Sequence, residues 1–490
     1  MAEMGYIALL LALLVSAYSA LASFLGARRG YGELWASGRN AAYASFALVS
    51  LAAAVLIFAI FNHDFRIEYV AAYTSRDMSP AYLLSAFWAG NEGSLLFWAW
   101  TLALLGSVVL LQNRCRHREL LPYVSMVVMI TQAFFLLLMV FVSNPFATLA
   151  STPTAGRGMN PLLENPGMLI HPPTLLAGYA GLTIPFAFAI AALVTGRLGD
   201  DWLRSIRTWT LVPWLLLGIG NILGSWWAYV ELGWGGFWAW DPVENAGLLP
   251  WLTATAFLHS AMVQRRRGML KVWNMVLIIV TFHLAIFGTF ITRSGIVSSV
   301  HTFGVSALGP LFLAFMGVGL AASIWLLVSR LGRMKSEEEL DSLASREGTF
   351  LLNNLILVGA TFAILLGTIF PLISEAVTGF KVTVGAPYFN RVAGPIFFLL
   401  ILLMGICPLI GWRRASPANL VRNLLRPLAA ALVPGTLIFI LGVRKPHVII
   451  GLFICFFVLS TITIEWSRGV RARHRTRGEN YAQAFLSLVW

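Results

Sequence analysis

Apolar runs of roughly twenty residues recur along the whole chain, broken by short polar stretches. Thirteen stand out, at about 5–25, 42–61, 94–111, 122–142, 174–194, 208–228, 246–264, 273–292, 310–328, 350–373, 394–412, 427–442 and 447–465. Each is long enough to cross a hydrocarbon layer of roughly 30 Å. Inside lipid a segment must satisfy its own backbone polar groups, so the runs predict helices. The expected fold is an all-α integral membrane protein with about thirteen transmembrane helices. The first run is too long for a signal core and has no basic flank before it, so it reads as a span.

The polar stretches set the orientation. Most of the 34 Lys and Arg follow odd-numbered runs, as with Arg28, Arg29 and Arg39, then Arg265, Arg266 and Arg267, and finally the tail from Arg468 to Arg477. This predicts an amino terminus outside and a carboxyl terminus in the cytoplasm. The net charge of +13 therefore reflects topology and draws anionic lipid, and it implies no nucleic acid. A chain that is 58% hydrophobic and 11% charged is not a soluble domain. Its three cysteines, Cys115, Cys407 and Cys455, form no CxxC or CxxCH. The runs hold almost no ionisable side chains, which argues against an ion-coupled transporter or pump. Two histidines do fall within them, His259 in the seventh and His283 in the eighth.

The candidate chemistry lies in the even-numbered connections. "WAYVELGWGGFWAWDPVEN" crowds Trp227, Trp234, Trp238 and Trp240 together, with Trp226 just before. Its "DPVEN" is a good helix start: Asp241 as N-cap, Pro242 at the first helical position, Glu244 closing a capping box. That leaves the tryptophans unexplained. A Gly-punctuated aromatic platform at a membrane surface suits a flat, largely apolar ligand, whereas an interfacial belt spreads its Trp over many helix ends. His171 and His301 fall on the same side by topology. They read either as metal ligands or as loop histidines bonded to backbone.

The motifs "WGGFWAWDPVENAGLLPWL", "WAGNEGSLLFW", "HPPTLLAGY", "LHSAMV" and "GTFITRSGIVSSVH" resemble the CcmF type of cytochrome c haem lyase, within the WWD-domain haem-handling superfamily that includes a nitrite-reductase-associated, NrfE-like branch. The resemblance implies cytochrome c maturation in the inner membrane with an extracytoplasmic active face. Haem arrives from a membrane-anchored haem chaperone and rests on the WWD loop, with His171 and His301 as axial ligands and Arg293 beside a propionate. Apocytochrome c, brought by thiol-presenting maturation subunits, then forms thioether bonds to the vinyl groups. No residue of the chain is expected to act as a nucleophile. The family also implies an intramembrane b-type haem that takes electrons from quinol, with His259 as one ligand. Its second ligand lies between His447, His283 and a residue outside this chain, since no family motif follows Trp490. Residues 1–310 read as the haem-handling core and 311–490 as carboxyl-terminal helices, shortened relative to the family. A haem exporter and a quinone-linked redox subunit without ligation activity are the alternatives.

Overall fold

A computed structural model describes the chain apart from residues 115, 116, 234, 298, 300–305, 337–339, 341, 343, 344, 411–416, 489 and 490 and the side chains of 417–420. The described residues are helical: α1 (Ala2–Arg29), α2 (Gly32–Phe61), α3 (Glu68–Tyr73), α4 (Pro80–Ala86), α5 (Asn91–Gln112), α6 (Leu121–Phe141), α7 (Pro166–Gly181), α8 (Thr183–Thr195), α9 (Asp201–Glu231), α10 (Pro242–Arg267), α11 (Lys271–Ser294), α12 (Leu308–Arg330), α13 (Arg346–Thr378), α14 (Ala386–Ile406), α15 (Pro417–Ile440), α16 (Pro446–Arg477) and α17 (Tyr481–Leu486). Among them are 13 spans long and apolar enough to cross a membrane, with α7 and α8 together forming one. The thirteen predicted runs each fall on one of these.

The chain forms two compact units. The first comprises Met1–Ala261, Leu270–Lys335 and Thr368–Thr383, and the second Met262–Met269, Ser336–Gly367 and Val384–Trp490. The expected boundary at residue 310 thus falls inside the first unit, because α12 packs on α11 and α8. In the second unit, Ala431, Phe457 and Val458 form a small core between α14, α15 and α16.

Lipid tails are as apolar as leucine, so helices in a bilayer associate through close fit. The first unit shows how. Between α1 and α2, Gly26 meets Trp35, Gly38 meets Ser23, and Ser16 bonds Ser45 at 2.7 Å. These pairs step evenly in opposite directions, which fixes an antiparallel register. The pairing of α7 with α9 follows the same rule. Gly181 faces Pro213, Gly178 faces Leu217, Leu175 faces Gly220, His171 faces Gly224, and Gly167 faces Trp227. On each rung a bare glycine receives a bulky side chain from the other helix. The span formed by α7 and α8 is the most enclosed, 89% buried, and Trp98 stacks between Phe135 at 4.8 Å and Tyr179 at 5.9 Å beside it.

A β-carbon on Gly178 would lie 2.9 Å from the backbone nitrogen of Leu217, which has no room to move. Gly178→Leu should therefore cost about 1–3 kcal/mol through overpacking and lower the thermal unfolding midpoint in detergent. Gly359→Leu, with nothing within 4 Å of the added carbon, should leave the midpoint unchanged.

Candidate functional site

His171 stands inside a helix, not in the loop the sequence suggests. Asn165 is the reason. Its side chain accepts from Gly167 N at 2.7 Å and caps α7, with Pro166 at the first helical position. The helix so started reaches His171 and continues through Pro172 and Pro173. Pro172 has no N–H to give the carbonyl of Met168, four residues back. Trp88 Nε1 donates to that carbonyl instead, at 2.9 Å.

The imidazole lies flat on α9. A β-carbon on Gly224 would fall 2.6 Å from its Cε1, so the ring fills the space that glycine leaves. Its Nδ1 donates to the carbonyl of Gly220 at 2.8 Å, and the ring of Trp227 meets it edge-on at 5.8 Å. A carbonyl only accepts, so Nδ1 donates there, and in the neutral form of the ring this places the lone pair on Nε2. Metal-ligating histidines are commonly oriented this way. A cleft of about 170 Å³ opens beside the ring, lined by Leu163, Gly224, Trp227 and Glu231. That is below the roughly 300 Å³ of a complete small-molecule site, so the cleft admits one edge of a plate. Asn165 Nδ2 donates to the Glu231 carboxylate at its rim.

The aromatic stretch joins α9 to α10. Phe237 stacks on Tyr229 at 4.2 Å, and Trp238 meets Trp240 edge to face at 5.9 Å. Trp226 and Phe237 are exposed. Trp234 lies outside the described residues. The indole N–H of Trp238 is buried with no hydrogen-bond partner among the described residues. Trp240 adopts a left-handed backbone conformation (φ 61°), which a bulky residue holds only where its surroundings enforce it. Asn245 does so, donating to the Trp240 carbonyl at 3.1 Å while also reaching Thr368 Oγ1 at 3.0 Å. Glu244 accepts from the backbone N–H of Ala239 and of Asp241, both at 3.1 Å, and Asp241 accepts from Val243 N at 3.0 Å. "DPVEN" therefore starts α10, with Glu244 reaching back to Asp241 N as in a capping box and Asp241 holding Val243 N. Asp241 is also a joint: its Oδ2 accepts from Ser299 Oγ at 2.6 Å. Ser299 precedes His301 by two residues, and His301 itself lies outside the described residues.

A family model described as cytochrome C assembly protein matches residues 88–297. The chain is 39% identical to the cytochrome c-type biogenesis protein ccl1 of Rhodobacter capsulatus, over 100% of this chain and 76% of that protein. It is 42% identical to CcmF of Pseudomonas aeruginosa, over 88% of this chain and 65% of that protein. A solved structure titled cytochrome c heme lyase CcmF superposes with a TM-score of 0.79 at 32% identity, covering 99% of this chain and 75% of that one. The chain belongs to the CcmF family. It spans about two thirds to three quarters of the length of these relatives.

The other residues implicated by resemblance to the CcmF family divide sharply. His259 is half-buried on α10. His283 is buried on α11, with Nδ1 bonded to the Ile279 carbonyl at 2.8 Å. Its ring contacts are Phe186 and Phe282, and its Nε2 sits against Gly319. None of these is on α10, so they do not bring His283 opposite His259. His447 is exposed at the start of α16, in the second unit. Arg293 does not stand free at an outer slot. It is 2% exposed and donates to Ser94 Oγ at 2.9 Å. A position at the end of an apolar run does not reveal which way the last turn faces. The residues that sequence reading missed are Gly220, Gly224, Ser299 and Thr368. Only the i, i+4 spacing of Gly220, Gly224 and Ala228 signalled a groove.

Gly224→Ala should push the His171 ring off α9 while leaving a foldable helix. The expected readout is a changed His171 ring signal in NMR of the purified protein, with helix content unchanged.

Proposed function

We propose that this chain is a cytochrome c haem lyase, or the haem-holding part of one, in the cell's inner membrane with its aromatic end facing outward. The observation that carries the reading is the His171 imidazole, its Nε2 lone pair set by the Gly220 carbonyl, beside a cleft walled by Trp227. The names of its relatives point the same way.

Haem is the substrate here. It is flat, apolar on both faces and anionic along one edge. Aromatic rings suit the faces, and the N–H of Trp238, with no partner among the described residues, suits a propionate. His171 and His301 are the two axial ligands of this reading, with Trp226, Trp227, Trp234, Trp238 and Trp240 as the platform. A membrane-anchored haem chaperone delivers the haem. Apocytochrome c, presented by thiol-handling maturation subunits in a larger complex, supplies the CxxCH thiols.

Thioether formation adds S–H across the vinyl double bond: sulfur to one carbon, hydrogen to the other, with no net oxidation. The nucleophile belongs to the apocytochrome. The chain's contribution is to hold the vinyl edge in register, and proximity with orientation is worth roughly 7–11 kcal/mol. Asp241 and Glu244, both engaged in backbone hydrogen bonds, hold the platform rigid. His259 remains the candidate ligand for an intramembrane b-type haem reduced by quinol.

The test is maturation of a reporter c-type cytochrome in cells lacking their own lyase, with the full complex verified. His171→Ala and His301→Ala should each lower holocytochrome at least tenfold. Undiminished maturation by the double variant would refute the assignment. In purified protein, His259→Ala should remove a low-spin b-type signal while leaving the outer haem in place.

A further inference from the structure

The far end of α16 carries five arginines, Arg468, Arg471, Arg473, Arg475 and Arg477, against two nearby carboxylates, Glu465 and Glu479. Both carboxylates are engaged. Glu465 pairs with Arg468, and Glu479 is gripped by Arg473 through two bonds of 2.8 and 2.7 Å. The second pair also turns the chain back. Gly478, left-handed at φ 66°, ends α16. His474 Nδ1 then donates to the Glu479 carbonyl at 2.7 Å, and the His474 ring stacks on Tyr481 at 4.2 Å. Asn480 and Gln483 cap α17 reciprocally. Phe485 meets Trp466 at 5.2 Å, and Ala484 is buried between the two helices. The short α17 is thereby laid back along α16.

A cleft of about 460 Å³ lies between the two. Two rows on α16, each stepping by four residues, line one side: Ile462, Trp466 and Val470, and beside them Thr463, Ser467 and Arg471. Tyr481 and Phe485 line the other. The first row is apolar, and the second passes from hydroxyls to a cation. Arg471 is exposed and has no carboxylate partner among the described residues. Trp466 Nε1 is buried, likewise with no partner among them. Arg471 stands about 9 Å past the apolar run that ends at 465, the depth at which a bilayer turns from hydrocarbon to headgroups. On α17, Tyr481, Phe485 and Leu486 are exposed, as in a helix resting at a membrane surface.

We propose that the cleft between α16 and α17 binds one anionic phospholipid of the surrounding leaflet, its phosphate on Arg471 and Ser467 and its upper chain along Ile462 and Val470. A soluble anion would use the cation and leave the apolar row idle. A lipid uses both, and basic clusters that directly follow a span attract anionic headgroups. The site is separate from the aromatic stretch between α9 and α10, and the proposal does not depend on where haem binds.

The experiment places the full chain in phosphatidylcholine nanodiscs, with and without added phosphatidylglycerol, and follows hydrogen exchange of the 479–488 peptide. In the wild type the anionic lipid should slow exchange about tenfold, the order expected of a charge-assisted contact to phosphate. Arg471→Gln should abolish the slowing while leaving exchange in phosphatidylcholine unchanged, since Arg471 does not hold α17 in place. Arg477→Gln removes the same charge from another face of the helix and should keep most of the slowing. Equal losses in the two variants would mean a diffuse attraction to charge and would overturn the site. So would a wild-type peptide indifferent to phosphatidylglycerol. Inorganic phosphate that protects the peptide as well as the lipid does would overturn the lipid assignment.

Discussion

The His171 ring occupies space that a side chain on Gly224 would otherwise take, and the rest of the site is arranged around that contact. In a bilayer there is no general gain from pushing two apolar helices together, so α7 and α9 hold each other by alternating bare and bulky rungs. One of those rungs happens to be an imidazole. The glycine that admits it also leaves the Gly220 carbonyl within reach of Nδ1, at 2.8 Å. Packing and ring orientation are the same contact, so a change of one methyl group at Gly224 alters both.

Helix ends do the remaining work. Asn165 starts α7 early enough to carry His171, and Asp241 with Glu244 starts α10 tightly enough to hold the aromatic stretch above it. Thr368, far along the chain on α13, meets Asn245 in the same first turn. Each of these caps would be ordinary in isolation. Together they turn a connection rich in glycine and tryptophan into a fixed surface, which a flat ligand requires and a floppy loop would not offer.

The spans were legible because twenty apolar residues in a row have few other uses, and the start of α10 because "DPVEN" carries its own capping partners. What escaped was everything that depends on a second helix. Pro172 and Pro173 read as the end of a loop, since nothing in their neighbourhood shows that Trp88 will take the carbonyl they leave idle. Gly224 gives no hint of His171 until the register of α7 on α9 is known. The terminal position of Arg293 on its run does not show that its turn faces α5. Nor does any shift in composition mark that α12 and the stretch from Thr368 to Thr383 join the first unit through tertiary contacts.

Everything turns on where the porphyrin iron sits. A cryo-EM map of the haem-loaded chain decides it directly. The account predicts density for a flat plate against the tryptophans of the α9–α10 connection, with iron at bonding distance from His171 Nε2 and Nδ1 still turned to Gly220. Iron ligated elsewhere, with the His171 ring undisturbed and the aromatic surface bare, would contradict it.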